Sequence, residues 1–189
     1  MSMLLHACCG PCSMYPLELL GTMGKDLDVF WFNPNIQPQF EWDRRYDNLV
    51  KAADHYNVRL IRQGEGCEEE YWRSGEYLKE FSSRCEMCYD VRMDAVAKAA
   101  MEGGYTSFST TLLVSPYQQH DRIAQIASSK ADKYGVRFEY MDFRPGFRHG
   151  QDLAREIGLY RQKYCGCIFS LEESKFYDKI VRSFEPPEL

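Results

Sequence analysis

No run of apolar residues in this 189-residue chain approaches the roughly 20 that a membrane-spanning helix requires. A surplus of positive charge is missing too: 23 lysines and arginines against 28 acidic residues leave a formal net charge of -5. The overall field repels phosphate, so affinity for nucleic acid must come from local patches, and a nonspecific binder is excluded. There is no internal repeat, low-complexity tract or linker-like stretch. With 44% hydrophobic and 27% charged residues, the composition is that of a globular chain rather than a disordered one. Met1 to His6 lacks the basic segment, long apolar core and cleavage site of a secretory signal, which predicts a cytoplasmic protein with no membrane partner. The length predicts one domain covering residues 1–189.

Cysteine, by contrast, is plentiful. In a reducing compartment the eight cysteines argue for metal binding or redox chemistry over a disulfide scaffold. Seven of them fall in three tight groups: His6-Ala7-Cys8-Cys9-Gly10-Pro11-Cys12, Arg84-Cys85-Glu86-Met87-Cys88-Tyr89, and Tyr164-Cys165-Gly166-Cys167. Cys67 stands alone among acidic residues and reads as an ordinary thiol.

The hydrophobic pattern alternates between strand and helix. Met3 to Ala7 and Val29 to Asn33 are short apolar runs with helical spacing between them over Tyr15 to Met23. Glu41 to Tyr56 predicts a helix, Arg59 to Gln63 an extended segment, and Cys88 to Met101 a helix stopped by Gly103-Gly104. Thr106 to Leu112 reads as a strand, Gln119 to Tyr134 as a helix and Arg137 to Asp142 as a strand. From Gly146 onward the pattern is helical, interrupted at Gly166 and closed by Pro186-Pro187. This order predicts an α/β fold, a Rossmann-like parallel sheet with helices on both faces and a C-terminal helical segment. In such sheets ligands bind at the carboxyl ends of strands, where Cys8, Cys9 and Cys12 fall.

The pair Cys85-x-x-Cys88 can grip one metal or two irons of a cluster, and Cys8-Cys9 could supply two more thiolates. A helix amino end near Ser13 favours anionic thiolates close to it. Two simpler accounts compete. Two cysteine pairs also make a tetrahedral zinc cage, although zinc leaves three grouped thiols unexplained. Cys9-x-x-Cys12 opens a helix after a strand, as in dithiol-disulfide oxidoreductases, but the adjacent Cys8 does not suit that chemistry.

These motifs together resemble the QueH-type epoxyqueuosine reductases. The residues that carry the resemblance are Leu5 to Cys12, Asn33-Pro34-Asn35, Arg84 to Tyr89, Ser109-Thr110-Thr111-Leu112 and Tyr164 to Cys167, a span of nearly the whole chain. The resemblance implies a fold like that of the adenine-nucleotide α-hydrolases (HUP-like), a [4Fe-4S] cluster, an additional iron ion beside it, and reduction of epoxyqueuosine to queuosine in tRNA. ATP-using relatives of that fold have a loop rich in Gly and Ser after the first strand to cradle pyrophosphate. Here Cys8 and Cys9 take that place, which predicts a metal loop and no use of ATP. Members of the family carry Asp or Cys at the position of Cys12, as suits a metal ligand. By analogy Cys8, Cys9, Cys85 and Cys88 are assigned to the cluster, and Cys12, Cys165 and Cys167 to the extra iron or a redox pair.

Removing the epoxide oxygen takes two electrons, from an external donor, and two protons. Asp43, His120 and an unligated Cys165 or Cys167 are candidate proton donors, with His120 equally readable as a plain helix start. For the tRNA, Arg144, Arg148, Arg155, Arg161 and Lys163, interleaved with Phe143 and Phe147, offer cations for phosphate and rings for a splayed base. Trp42, Arg44 and Arg45 form a second candidate patch. A zinc-stabilised nucleic-acid-binding module and a cluster-dependent tRNA sulfur transferase remain as alternatives; the latter needs the phosphate loop that is missing.

Overall fold

The structure is a computed structural model, and it describes residues 2–183. Five strands, β1 (Ser2–His6), β2 (Asp26–Trp31), β3 (Leu60–Arg62), β4 (Ser107–Thr110) and β5 (Arg137–Phe138), form a single parallel sheet in the order β3-β2-β1-β4-β5. A parallel sheet covered on both faces needs apolar residues on both sides of its strands. Met3, Leu4, Leu5, Val29, Phe30, Trp31 and Phe108 are accordingly buried. Right-handed crossovers place α1 (Gly10–Thr22) and α2 (Gln39–His55) on one face, because β1 to β3 step one way across the sheet. The step to β4 and β5 runs the other way and puts α4 (Arg84–Glu102) and α5 (His120–Tyr134) on the opposite face, packed together. The short α3 (Glu69–Ser74) precedes α4, and α6 (Phe147–Glu156), α7 (Ile168–Glu172) and α8 (Tyr177–Arg182) make the helical C-terminal segment. Of these, α6 packs on α1. The expected Rossmann-like α/β class, with this segment, is the observed one; the Pro186-Pro187 close lies outside the described residues.

Three boundaries differ from the sequence pattern. First, α1 begins at Gly10, not near Tyr15: Pro11 lies in the first turn, where its missing N–H costs nothing. Cys9 thereby becomes the residue capping the helix, and Cys12 lies inside it. Second, the strand expected over Arg137 to Asp142 pairs only at Arg137 and Phe138. It is an edge strand, extended by one bond from Glu139 N to Phe108 O (2.9 Å), before the Asp142 carboxylate receives Arg144 N and turns the chain. Third, β2 ends at Trp31, which leaves Asn33 free to donate its side-chain amide to Ala7 O (2.9 Å).

Candidate functional site

The sheet changes its direction of progression between β1 and β4, and the carboxyl ends of those strands open the crevice in which parallel α/β sheets bind ligands. Cys8 follows β1 directly, and its backbone N–H donates to Thr111 Oγ1 (3.1 Å) just beyond β4. Gly10 lets α1 start this close to α2: a Cβ there would meet Asn48 O at 2.4 Å. The result gathers three sulfurs, with the Sγ atoms of Cys8, Cys9 and Cys12 all within 4.8 Å of one another. Hydrogen bonds from the Cys12 and Cys9 thiols hold Cys8 well below the usual thiol value against burial, helped by Thr111 and the Arg92 guanidinium. Burial pushes Cys9 up, and the bonds Cys12 gives to Cys8 and Cys9 push it up as well.

A second set of thiols is assembled from distant segments. Ser83 caps α4, its Oγ accepting from Glu86 N (3.2 Å), and presents Cys85 and Cys88 in the first turns of that helix. Burial raises Cys85, with the nearby charges of Cys165 and Cys167 adding, and raises Cys88 to about 12 against the pull of Arg92. Cys88 shares a buried cluster with Cys167, Trp72, Tyr77 and Met87. Cys165 is exposed as a residue, yet the protein around its sulfur disfavours the thiolate and raises it, Cys167 adding.

The Cys165-Gly166-Cys167 loop is held by α2 and the segment before it. Buried Arg45 donates from Nη1 to Cys165 O (2.8 Å), from Nη2 to Tyr164 O (3.1 Å) and from Nε to buried Glu41 (2.7 Å). Gln37 N donates to Gly166 O (2.9 Å), and Ile168 N to Gln37 Oε1 (2.7 Å). Gly166 takes φ +144, a conformation side chains rarely adopt.

Polar side chains sit among both groups. Arg92 is buried, donates to Cys88 O (3.1 Å) and to Asn33 Oδ1 (3.4 Å), and its charge acts on Cys8, Cys88 and Cys165 alike. Gln162 Nε2 reaches Cys9 Sγ (2.9 Å) and Cys12 Sγ (3.7 Å). Gln118 Nε2 lies 3.7 Å from Cys165 Sγ while its Oε1 accepts from Tyr89 Oη (2.7 Å). Buried His6 is lowered to about 3, by burial first and by Arg92 second. It is therefore neutral, bonded to Thr110 Oγ1 (2.9 Å) and Phe32 O (3.3 Å).

The expected site residues divide by location. The structure brings the sulfurs of Cys8, Cys9 and Cys12 together, the charge of Arg92 reaches Cys8 and Cys88 alike, and the charges of Cys165 and Cys167 act on Cys85 and Cys88. His120 begins α5 with Nε2 on Ser115 O (3.1 Å) and a buried Nδ1 that meets no partner among the described residues. It lines a cleft of about 420 Å³ with Gln118, Arg122 and Arg144. Asp43 is exposed on α2, bonded by Gln39 (3.0 Å), on the side of Cys67. Arg144 is exposed and paired with Asp142, Arg155 is exposed and paired with Asp152, and Arg148, Arg161 and Lys163 are exposed as well. The second candidate patch is not a surface patch: Trp42 and Arg45 are buried, and Arg44 lies over the Tyr160 ring at 3.4 Å. Gln162, Gln118 and Arg92 were not among the expected residues. As isolated polar residues outside any cysteine motif, they carry no spacing signal.

Solved structures of similar architecture include a predicted tRNA methyltransferase subunit from Methanocaldococcus jannaschii (TM-score 0.52, 12% identity, 82% of this chain and 76% of that one). A deacetylase of teicoplanin biosynthesis is similar at TM-score 0.51 and 13% identity, over 83% of each chain. At such identities the likeness shows the fold alone. Sequence relatives go further. Epoxyqueuosine reductase QueH of Thermotoga maritima is 39% identical over 92% of both chains. The protein of the same name from Dehalococcoides mccartyi is 34% identical over 89% of this chain and 91% of its own. A family profile described as epoxyqueuosine reductase QueH matches residues 3–173, a stretch that includes every grouped cysteine. This chain belongs to the epoxyqueuosine reductase QueH family.

Proposed function

We propose that this protein reduces epoxyqueuosine to queuosine in tRNA, as an iron-dependent oxidoreductase of the cytoplasm. The observation that carries the reading is the close group of Cys8, Cys9 and Cys12 beside buried Arg92, whose charge also reaches Cys88 and Cys165 of the other two motifs, within a chain of this family. The donor set suits iron: it is all sulfur, largely buried, and crowded enough that ionising its members together needs cationic charge.

Cys8, Cys9, Cys85 and Cys88 would hold a [4Fe-4S] cluster, four thiolates being the complement such a cluster takes. Cys12, Cys165 and Cys167 would then serve the additional iron or a redox pair. Under this division Cys8→Ser removes acid-labile sulfide, whereas a separate iron on Cys8, Cys9 and Cys12 keeps sulfide in that variant and loses about one iron. Bound there, the cluster would pass single electrons from an external donor and the iron would act as a Lewis acid toward oxygen.

The chain's own residues do the rest. Arg92 offsets the negative charge of both thiol groups with its fixed positive charge. Hydrogen bonds from Cys12 and Cys9, with Thr111, hold Cys8 below the usual thiol value, and the neutral, buried His6 adds no charge beside it. His120, on the cleft wall beside the Gln118 that touches Cys165, would serve as a proton donor. The exposed cations Arg144 and Arg148, with Arg155, Arg161 and Lys163 beyond them, would take the tRNA backbone, a local patch on a chain of net negative charge.

The test is anaerobic purification with iron, acid-labile sulfide and zinc counted per chain, followed by assay of epoxyqueuosine-containing tRNA under a strong reductant. About four sulfides with conversion to queuosine is the expected result. One firmly held zinc, no sulfide after reconstitution and no conversion would sink the reading in favour of a zinc-stabilised binding module.

A further inference from the structure

Among the described residues the most exposed large ring stands beside the cysteine loop. Tyr117 leaves 84% of its surface to solvent, against 58% for Leu78, the next large apolar side chain, and 48% for Phe40 and Tyr140, the next rings. Phe143, which the sequence offered as a ring for a splayed base, is fully buried, and Phe147 is half-buried. Tyr117 carries that aromatic surface outward, its ring edge-on to Phe147 at 6.2 Å and 86°. A single exposed tyrosine on a loop means little by itself. What surrounds this one gives it a use.

The loop that bears it is fixed. Tyr117 N donates to Ser115 Oγ (3.3 Å), Gln118 N donates to Ser115 O (3.3 Å), and His120 Nε2 lies 3.1 Å from the same carbonyl. Phe143 N donates to Leu113 O (3.2 Å), which ties the loop to the segment carrying Arg144, Phe147 and Arg148. A tyrosine has only two side-chain torsions, so a ring held on such a turn offers contact area at small conformational cost. The next residue, Gln118, reaches Cys165 Sγ (3.7 Å) and lines the open cleft with His120, Arg122 and Arg144. Arg144 and Arg148, before and after Phe147 in the chain, are exposed cations. An exposed ring, exposed cations and a cleft leading to a cysteine thus share one face.

We propose that Tyr117 is the stacking platform for an unpaired tRNA base next to epoxyqueuosine, holding the strand so that the modified base enters the cleft beside Cys165. Unpaired RNA is gripped through aromatic faces because every base has a π-face, while nearby arginines take the phosphates. Stacking tolerates any base, so Tyr117 sets affinity and placement rather than the choice of sequence. It binds substrate and takes no part in breaking the carbon–oxygen bond. This inference rests on the reading that the protein acts on tRNA.

The test is steady-state turnover of epoxyqueuosine-containing tRNA by the loaded enzyme, with KM and kcat measured separately. Tyr117→Ala is expected to raise KM for the tRNA by about tenfold and to leave kcat within about twofold, while Tyr117→Phe keeps the parent KM. The three native tryptophans, Trp31, Trp42 and Trp72, are all buried, so Tyr117→Trp adds an exposed indole whose emission a stacked base should quench. A KM for the Ala variant within about twofold of the parent, a Phe variant as weak as Ala, or an indole that tRNA leaves unquenched overturns the proposal. In each of those cases conversion by the parent keeps the functional reading. A loaded parent that converts no tRNA, with no quenching of the indole, removes both.

Discussion

The two thiol groups are built in opposite ways. Cys8, Cys9 and Cys12 lie within five residues on one strand-to-helix turn, seated at the end of the central strand of the sheet. Cys85 and Cys88 meet Cys165 and Cys167 only because α4 and the C-terminal segment converge, and the loop carrying the latter pair is fixed by side chains of α2. The first group inherits its geometry from local backbone; the second depends on long-range polar contacts. Substitutions remote in sequence should therefore disturb the second group while sparing the first.

Arg45→Met is the strongest way to separate them. It strands the Glu41 carboxylate in the interior and frees the carbonyls of Tyr164 and Cys165, at a cost of about 3–5 kcal/mol. Thermal denaturation should show the lost stability, and alkylation should expose Cys165 and Cys167 well before Cys8 to Cys12. Equal exposure of both groups would break the comparison.

Next in size is Gly166→Ala, which strains φ +144 and sets a Cβ 3.2 Å from Arg45, Asn35 and Ile36, for about 1–3 kcal/mol. Alkylation is the measurement: Cys165 and Cys167 should react faster while Cys8, Cys9 and Cys12 keep the parent's rate. On the other side of the comparison, Thr111→Val removes the acceptor of Cys8 N–H and a partner of its sulfur, worth about 1 kcal/mol. Its effect should be read as faster alkylation confined to Cys8, Cys9 and Cys12.

The smallest effect concerns neither group. Burial opposes ionisation of Glu139, but Lys25, Ser107 and Arg137 hold its carboxyl at about 2, below the usual 4.5. Its contribution is present above the unfolded-state value and fades as pH falls toward about 2. Glu139→Gln should therefore be less stable than the parent near neutral pH, by under about 1 kcal/mol, with the two denaturation curves converging in acid.

The same contrast governs what the sequence discloses. The alternation of apolar runs announces the parallel sheet, and Cys8-Cys9-x-x-Cys12 after the first strand announces one thiol cluster, because both signals are local. That Cys85 and Cys88 would face Cys165 and Cys167, some eighty residues away, is written in no spacing. It follows from how α4 and α2 flank the sheet. Arg45 illustrates the point: beside Trp42 and Arg44 it resembles a surface cation, and only the fold reveals it buried under the loop it holds. Gln162 is invisible for the same reason, a single amide in a polar segment.

The Arg45 clamp also bears on how the protein is made. In small zinc modules the metal supplies the folding energy and the ligands have no shape without it. Here the loop bearing Cys165 and Cys167 is pinned by an arginine, a glutamine and a glycine, none of which is a cluster ligand in the reading above. The shape of that loop is thus written in the chain's own contacts, so a metal bound there would meet thiols already in place rather than create their arrangement.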